Sequence, residues 1–290
     1  MTVPPELLAA ARRLGPRPWS TLGPAAPGPG TAGGAEAAGW VAEAVVSCWR
    51  RLGRPDPFTV VEIGAGDGSR AAAVLRHLEG AAVRPSLRYV LVEPDGDERE
   101  RHRGRLALEQ PELLLGPMRP LTGGDEEVEV DPRSGPLVTS LPDLPSVPGP
   151  QLLVAVGWLS RLPADRYRWE RGRWWEQRLV AAGDGLRPTS VPAAPVVASA
   201  LARLAPNPAE GGVVAWQQEA ADTVAAIRRR SGPGALVAVE EGTTTTAMAS
   251  VAGAEPRGLA LDQMPSGRSA PVVAADRRLS PRRSYTWRLA

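Results

Sequence analysis

The chain contains no lysine; all 34 of its basic residues are arginine. A P-loop is therefore excluded, because its G-K-[ST] signature places a lysine ammonium on the phosphates. Cysteine is nearly absent too. The single Cys48 rules out an internal disulfide framework and suits a reducing cytoplasm. It sits in "WVAEAVVSCWRRL", where Val41, Ala44, Val45, Cys48 and Leu52 recur at helical spacing, and so reads as a small buried residue. Beside that cysteine there are only two histidines, His77 and His102, too few for a zinc site, and no metal is expected. Both histidines read as surface residues of helices. No apolar run approaches ~18 residues, so no membrane span is expected. The opening "MTVPP" lacks the charged and then apolar segments of a secretion signal, which again points to the cytoplasm. A net charge of +2 leaves no electrostatic footprint for nucleic acid.

Glycine and proline are plentiful, at 31 each, and with arginine in place of lysine they mark a GC-rich coding bias of the actinobacterial kind. More than half of residues 15–34 are Gly or Pro, too many for regular structure. Residues 1–35 are accordingly expected to form an arm, with a short helix at "ELLAAARRL", and residues 36–290 a single domain. Within that domain "FTVVEI", "LRYVLV", "QLLVAV" and "GALVAV" are continuous apolar runs, as in strands buried on both faces. Helical patterns separate them, at 36–52, after the first strand, at "DERERHRGRLALEQ" and around "VVAWQQEAADTVAAIRRR". Alternating strands and helices imply an α/β fold with a mostly parallel sheet. "DRYRWERGRWWEQRLVA" reads as an added β-hairpin turning at Arg171–Gly172, and short strands are expected at "EEVEV" and "PLVTSL". The acids of "EPDGDERE" suit the start of a helix better than a metal site. The arginine-rich tail "DRRLSPRRSYTWRLA" reads as solvated or as an edge strand.

The chemistry concentrates in "VVEIGAGDGSRAAAVLRHL", a strand, a glycine-rich turn and a helix. Gly64, Gly66 and Gly68 alternate, and Glu62 stands two residues before the first. Three glycines in five residues are more than a plain tight turn needs, and they mark a backbone that bends sharply or meets a ligand closely. A dinucleotide fingerprint would be G-x-G-x-x-G, but Ser69 occupies the third glycine's place, so a nicotinamide-dependent oxidoreductase remains the weaker reading. S-adenosylmethionine (SAM) fits the register better. It carries a zwitterionic tail, a sulfonium and a ribose diol, with no pyrophosphate. Glu62 would complement the ammonium directly or through water, and the glycines with Asp67 would pass beneath the methionine moiety. Glu93, followed by Pro94 at the end of the next strand, would accept the ribose hydroxyls.

A wider resemblance follows from these segments. "CWRRLGRPDPFTVVEIGAGDGSRAAAVLRHL" and "YVLVEPDGDERERHRGRL" resemble the first two blocks of the MidA-like SAM-dependent methyltransferases, a family that includes a mitochondrial complex I assembly factor acting on a protein arginine. The resemblance runs from about Glu36 to Gly242 and implies a Rossmann-like methyltransferase fold. "LLVAVGWLSRLPADRYRW" falls where the family carries a segment close to A-N-E-L-L-D-A-L-P-V-H-R. Matched on Leu162–Pro163, the family's Asn-Glu pair falls on Val156 and Gly157 and its Asp on Ser160. Its later Asp-Tyr-Gly falls on Glu240, Glu241 and Gly242. Cofactor recognition is thus expected to persist while the substrate-facing polar groups are replaced.

Val156, Gly157 and Trp158, at the carboxyl end of a parallel strand, are therefore the expected acceptor wall. No catalytic side chain is identified. The acceptor, a small molecule or a protein, is unspecified, and association into a homo-oligomer is compatible with the sequence. Two outcomes are open: a methyltransferase with an altered acceptor, or a catalytically silent SAM-binding relative that acts through partners. Trp169, Trp174 and Trp175 cluster in the hairpin, and the alternation of Tyr167 with Trp169 assigns them to a sheet face.

Overall fold

A computed structural model of the chain describes residues 5–22, 34–115, 134–147, 149, 151–230, 234–239, 242–243, 246 and 259–264. The strand expected at 126–130, positions 240 and 241 of the resemblance, and the tail 276–290 lie outside these residues. In chain order the elements are α1 (Pro5–Leu14), β1 (Arg17–Pro18), α2 (Gly34–Arg51), β2 (Phe58–Ile63), α3 (Ser69–His77), β3 (Leu87–Val92), α4 (Gly96–Arg105) and α5 (Pro111–Leu115). There follow β4 (Leu137–Leu141), β5 (Gln151–Val156), β6 (Asp165–Glu170), β7 (Arg173–Ala182), β8 (Gly185–Pro192), α6 (Pro195–Leu204), β9 (Val213–Trp216), α7 (Gln218–Arg230) and β10 (Gly234–Val239).

Five strands make a parallel sheet in the order β10-β5-β2-β3-β4. Every residue of β2, β3 and β5 is buried, as continuous apolar strands covered on both faces must be. One face, bearing Val60, Tyr89, Leu91, Leu152 and Val154, packs on α2 and α3 through Val41, Val45, Ala71 and Val74. On the other face α5 covers Val61, Val90 and Val92, while α7 covers Ile63, Leu153 and Leu236. From β2 the chain moves one way to β3 and β4, then returns past β2 to β5 and β10. The order therefore reverses between β2 and β5, the point at which open α/β sheets bind ligands beyond the carboxyl ends of their strands. This is a Rossmann-like sheet, as the sequence implies. Among the described residues no helix is long and apolar enough to cross a membrane.

The expected hairpin is present and is larger than a hairpin. β6 and β7 pair antiparallel around Arg171 and Gly172, both at positive φ (53° and 72°). That is the backbone of a two-residue type I′ turn, which matches the strand twist. β9 pairs with β6, β8 with the far edge of β7, and β1 continues the β6 edge along β7, giving a second sheet of five strands. Tyr167, Trp174 and Val214 meet Leu201 and Ala205 of α6 and its end to form a separate core, with Trp169 edge-on to Trp174 at 5.3 Å.

Three expectations need correcting here. Residues 15–22 are not irregular: β1 and a 3-10 turn at Trp19–Leu22 pack on the second sheet. The segment read as the start of a helix at Val213 is β9; β8 and α6 lie in the proline-rich stretch from Pro188, where the sequence assigns no element. The charged helix stops at Arg105, and α5 is a separate turn. Trp174, 3% exposed, anchors the second core. Trp174→Ala is expected to cost about 3 kcal/mol through lost burial and the cavity left behind, measured by urea unfolding.

Candidate functional site

The strand period decides which neighbours each acid meets. Glu62 lies on the same face of the sheet as Val60 and Tyr89, beneath α3, and has no exposure. A carboxylate so placed requires charged and hydrogen-bonded partners, and it has both. Arg70 Nε lies 2.6 Å from Glu62 Oε1, and the Tyr89 hydroxyl donates to Oε2 at 2.6 Å. Burial first, and then the neighbouring Glu62 charge, raise the Tyr89 hydroxyl well above its ordinary pKa, so it stays protonated as a donor. Arg70 also donates to the Gly64 carbonyl at 3.0 Å, tying the first turn of α3 to the glycine turn. Glu62 therefore faces Arg70 and Tyr89 rather than the open end of the sheet.

The turn itself is held against β3. The N–H groups of Gly64 and Ala65 both donate to the Val92 carbonyl, at 2.9 and 3.1 Å. Gly64, Gly66 and Gly68 have φ of 68°, 58° and 78°, in the left-handed region that favours glycine. Their side-chain positions differ. A Cβ on Gly64 would lie 2.6 Å from Trp158 Cδ1, and one on Gly68 would lie 2.9 Å from His102 Cδ2. A Cβ on Gly66 would meet nothing within 4 Å. Gly64 and Gly68 make room for the protein's own rings, whereas Gly66 borders open space.

Glu93 adjoins that space. It is half-buried, and its carboxylate accepts the Gly66 N–H at 2.9 Å and the Asp95 N–H at 3.1 Å. An ionised carboxylate offers about four acceptor positions, so two remain for a ligand. Pro94 is exposed, and its carbonyl accepts from Arg99. Asp95 caps α4 by accepting from the N–H groups of Asp97 and Glu98. Asp67 accepts the Ser69 N–H and pairs with Arg105 at 2.8 Å. Partial burial works against its charge, but the Ser69 hydrogen bonds and the Arg105 and Arg101 charges prevail and lower its pKa. The pair is thus intact at neutral pH and is lost only as pH falls through that lowered value.

Across the switch point, β5 brings Val156, Gly157 and Trp158 beside the turn. Val156 and Gly157 are buried, with Gly157 at φ 60°, and half-buried Trp158 lays its indole against Gly64. A surface cavity of about 550 Å3, bordered by Asp165, Trp216, Glu219 and Asp222, lies apart from the turn between the second sheet and α7.

Two functional neighbours escape a reading of the sequence. Arg70 carries a signal in retrospect, since a cation in the first turn of a helix opposes the helix dipole and implies a dedicated partner. His102 carries none. It is fully buried against the turn, which corrects its assignment to the surface.

Residues 40–252 match the family described as "Putative S-adenosyl-L-methionine-dependent methyltransferase". The chain belongs to this methyltransferase family. Its sheet is also similar to that of a COG1565 superfamily member from Burkholderia thailandensis bound to S-adenosyl-homocysteine (SAH), at 21% identity and a TM-score of 0.59. That match covers 84% of this chain and 66% of the other, so the chain spans just under two thirds of its length. A second COG1565 structure from the same organism matches at 20% identity and a TM-score of 0.60, over all of this chain and 75% of the other. No curated protein matches the chain.

Arg70→Leu is expected to destabilise this family member by about 3 kcal/mol, since it strands a buried charge that only Tyr89 still meets. Adding Glu62→Gln should recover part of the loss. Chemical denaturation of the two single variants and the double variant checks the coupling; simple additivity would show that the pair carries no interaction energy.

Proposed function

We propose that the chain binds SAM over Gly66, with Glu93 on the ribose diol, and methylates an acceptor seated against Val156, Gly157 and Trp158. One observation carries this reading. The glycine that lacks any neighbour on its side-chain face lies beside a carboxylate with spare acceptor positions, at the switch point of the sheet. Such a cradle suits a ribose diol and a methionine backbone. The family assignment and the SAH-bound neighbour support the same ligand. A nicotinamide dinucleotide is disfavoured by Ser69 in the third glycine position.

When bound, SAM supplies an electrophilic methyl group, and transfer is mainly a matter of positioning an acceptor in line with it. The proposed acceptor wall cannot remove a proton: Val156 and Gly157 offer no side-chain base, and Trp158 offers only an N–H donor. A protonated amine or guanidinium would need a carboxylate to orient it and take its proton. With no base among the described residues of this wall, an acceptor with a free lone pair at neutral pH is favoured. The face of Trp158 suits an aromatic or cationic body around that atom.

Calorimetric titration with SAM, SAH and NAD tests the ligand. SAM and SAH should bind, and Glu93→Ala should weaken both by about 1.5–3 kcal/mol, the scale of a charge-assisted hydrogen bond. Gly66→Val should abolish binding and, because φ there is 58°, also lower stability through backbone strain, so circular dichroism is run beside the titration to check that the variant is folded. NAD binding without SAM binding would sink the proposal. Labelled SAM incubated with cell extract tests transfer, with Trp158→Ala reducing it. Methylation of a protein arginine would refute the unaided-nucleophile acceptor. SAM binding with no transfer to any component would favour a silent relative.

A further inference from the structure

We infer that His102 is a positioning residue for the cofactor, clamping with Glu93 the two peptide planes on either side of Gly66. The inference rests on the SAM reading of the turn. His102 comes from α4, yet its ring is wholly buried against the turn. Nε2 lies 2.6 Å from the Gly66 carbonyl oxygen. A carbonyl only accepts, so Nε2 carries the proton. Nδ1 lies 2.8 Å from the Ser140 hydroxyl at the end of β4. In the neutral ring Nδ1 is an acceptor, and Ser140 donates to it.

The Gly66 N–H belongs to the peptide plane before the residue, and its carbonyl to the plane after it. Glu93 holds the first at 2.9 Å and His102 holds the second. Glycine at φ 58° would otherwise sample several conformations at little cost. With both planes tied, the crest that borders the open space is shaped before a ligand arrives. Binding then loses less conformational freedom and is tighter. The clamp is compact in sequence, because Glu93 also accepts the N–H of Asp95, the residue that caps α4 and so sets where His102 lies. Gly68 completes it, since any side chain there would collide with the imidazole. Ser140 extends the dependence to β4, two strands from the turn.

SAH affinity of the full chain, measured by calorimetry, separates this role from mere packing. Glutamine can place an amide N–H near the position of Nε2, whereas asparagine reaches only as far as Nδ1. His102→Gln should bind SAH within about threefold of wild type, and His102→Asn about tenfold more weakly, the range of one hydrogen bond. Ser140→Ala, which leaves the ring unoriented, should fall between them. Ligand-free thermal unfolding of the Gln and Asn variants should be matched. Equal SAH affinity of those two variants, whether both tight or both weak, overturns the clamp. If wild type itself fails to bind SAH, the methyltransferase reading falls and the clamp with it; wild-type binding with equal variants overturns the clamp alone.

Discussion

A single negative charge with no access to water organises the carboxyl end of the sheet. Glu62 sits on the central strand, where desolvation makes an unpaired carboxylate untenable. Arg70 answers it from the first turn of α3, against the preference of the helix dipole, and in doing so grips the carbonyl of Gly64. The start of α3 and the start of the turn are thereby locked together. Val92 of β3 also holds the start of the turn through the N–H groups of Gly64 and Ala65, and Glu93 with His102 of α4 holds its middle at Gly66. The cradle is held in shape because the protein itself bonds the N–H groups of Gly64, Ala65, Gly66 and Gly68 and the carbonyls of Gly64 and Gly66.

Within that cradle three glycines serve two purposes. Gly64 and Gly68 bring Trp158 and His102 within reach of the turn, closer than any Cβ would permit. Only Gly66 turns its missing side chain outward. Backbone strain resists substitution at all three, and at Gly64 and Gly68 a neighbouring ring resists it as well, whereas the space at Gly66 is used by none of the described residues. A glycine-rich motif is therefore mixed evidence for binding until each position's neighbours are known.

The parallel sheet was legible because strands buried on both faces are apolar along most of their length, and "FTVVEI", "LRYVLV" and "QLLVAV" are, with Thr59, Glu62, Arg88 and Gln151 as the polar exceptions. The turn was legible because left-handed backbone calls for glycine, and Arg171–Gly172 marked the hairpin for the same reason. What hid β8 and α6 was proline. Pro188 and Pro192 are tolerated because β8 pairs only with β7, and Pro195 opens α6, where a missing N–H has no consequence. β9 was hidden by its continuity with α7, since "VVAW" runs into "QQEAADTV" with no turn residue between them. His102 was invisible for a different reason. It is surrounded in sequence by arginines and acids that point to water, and only the docking of α4 on the turn buries it.

The acceptor side joins the local and global features. Trp158 replaces no structural group of the turn, yet its ring depends on the bare face of Gly64, and the same ring belongs to the core formed by Ile63, Leu159 and Val224. The wall and the cradle are thus packed as one body, so a change in either shifts the other. On the proposed reading, an apolar wall so anchored would fix what can approach the cradle. Selectivity for an acceptor that is already nucleophilic would, on the same reading, follow from this packing, since the described residues that hold the cradle in shape, Gly64 and Trp158, present no base there.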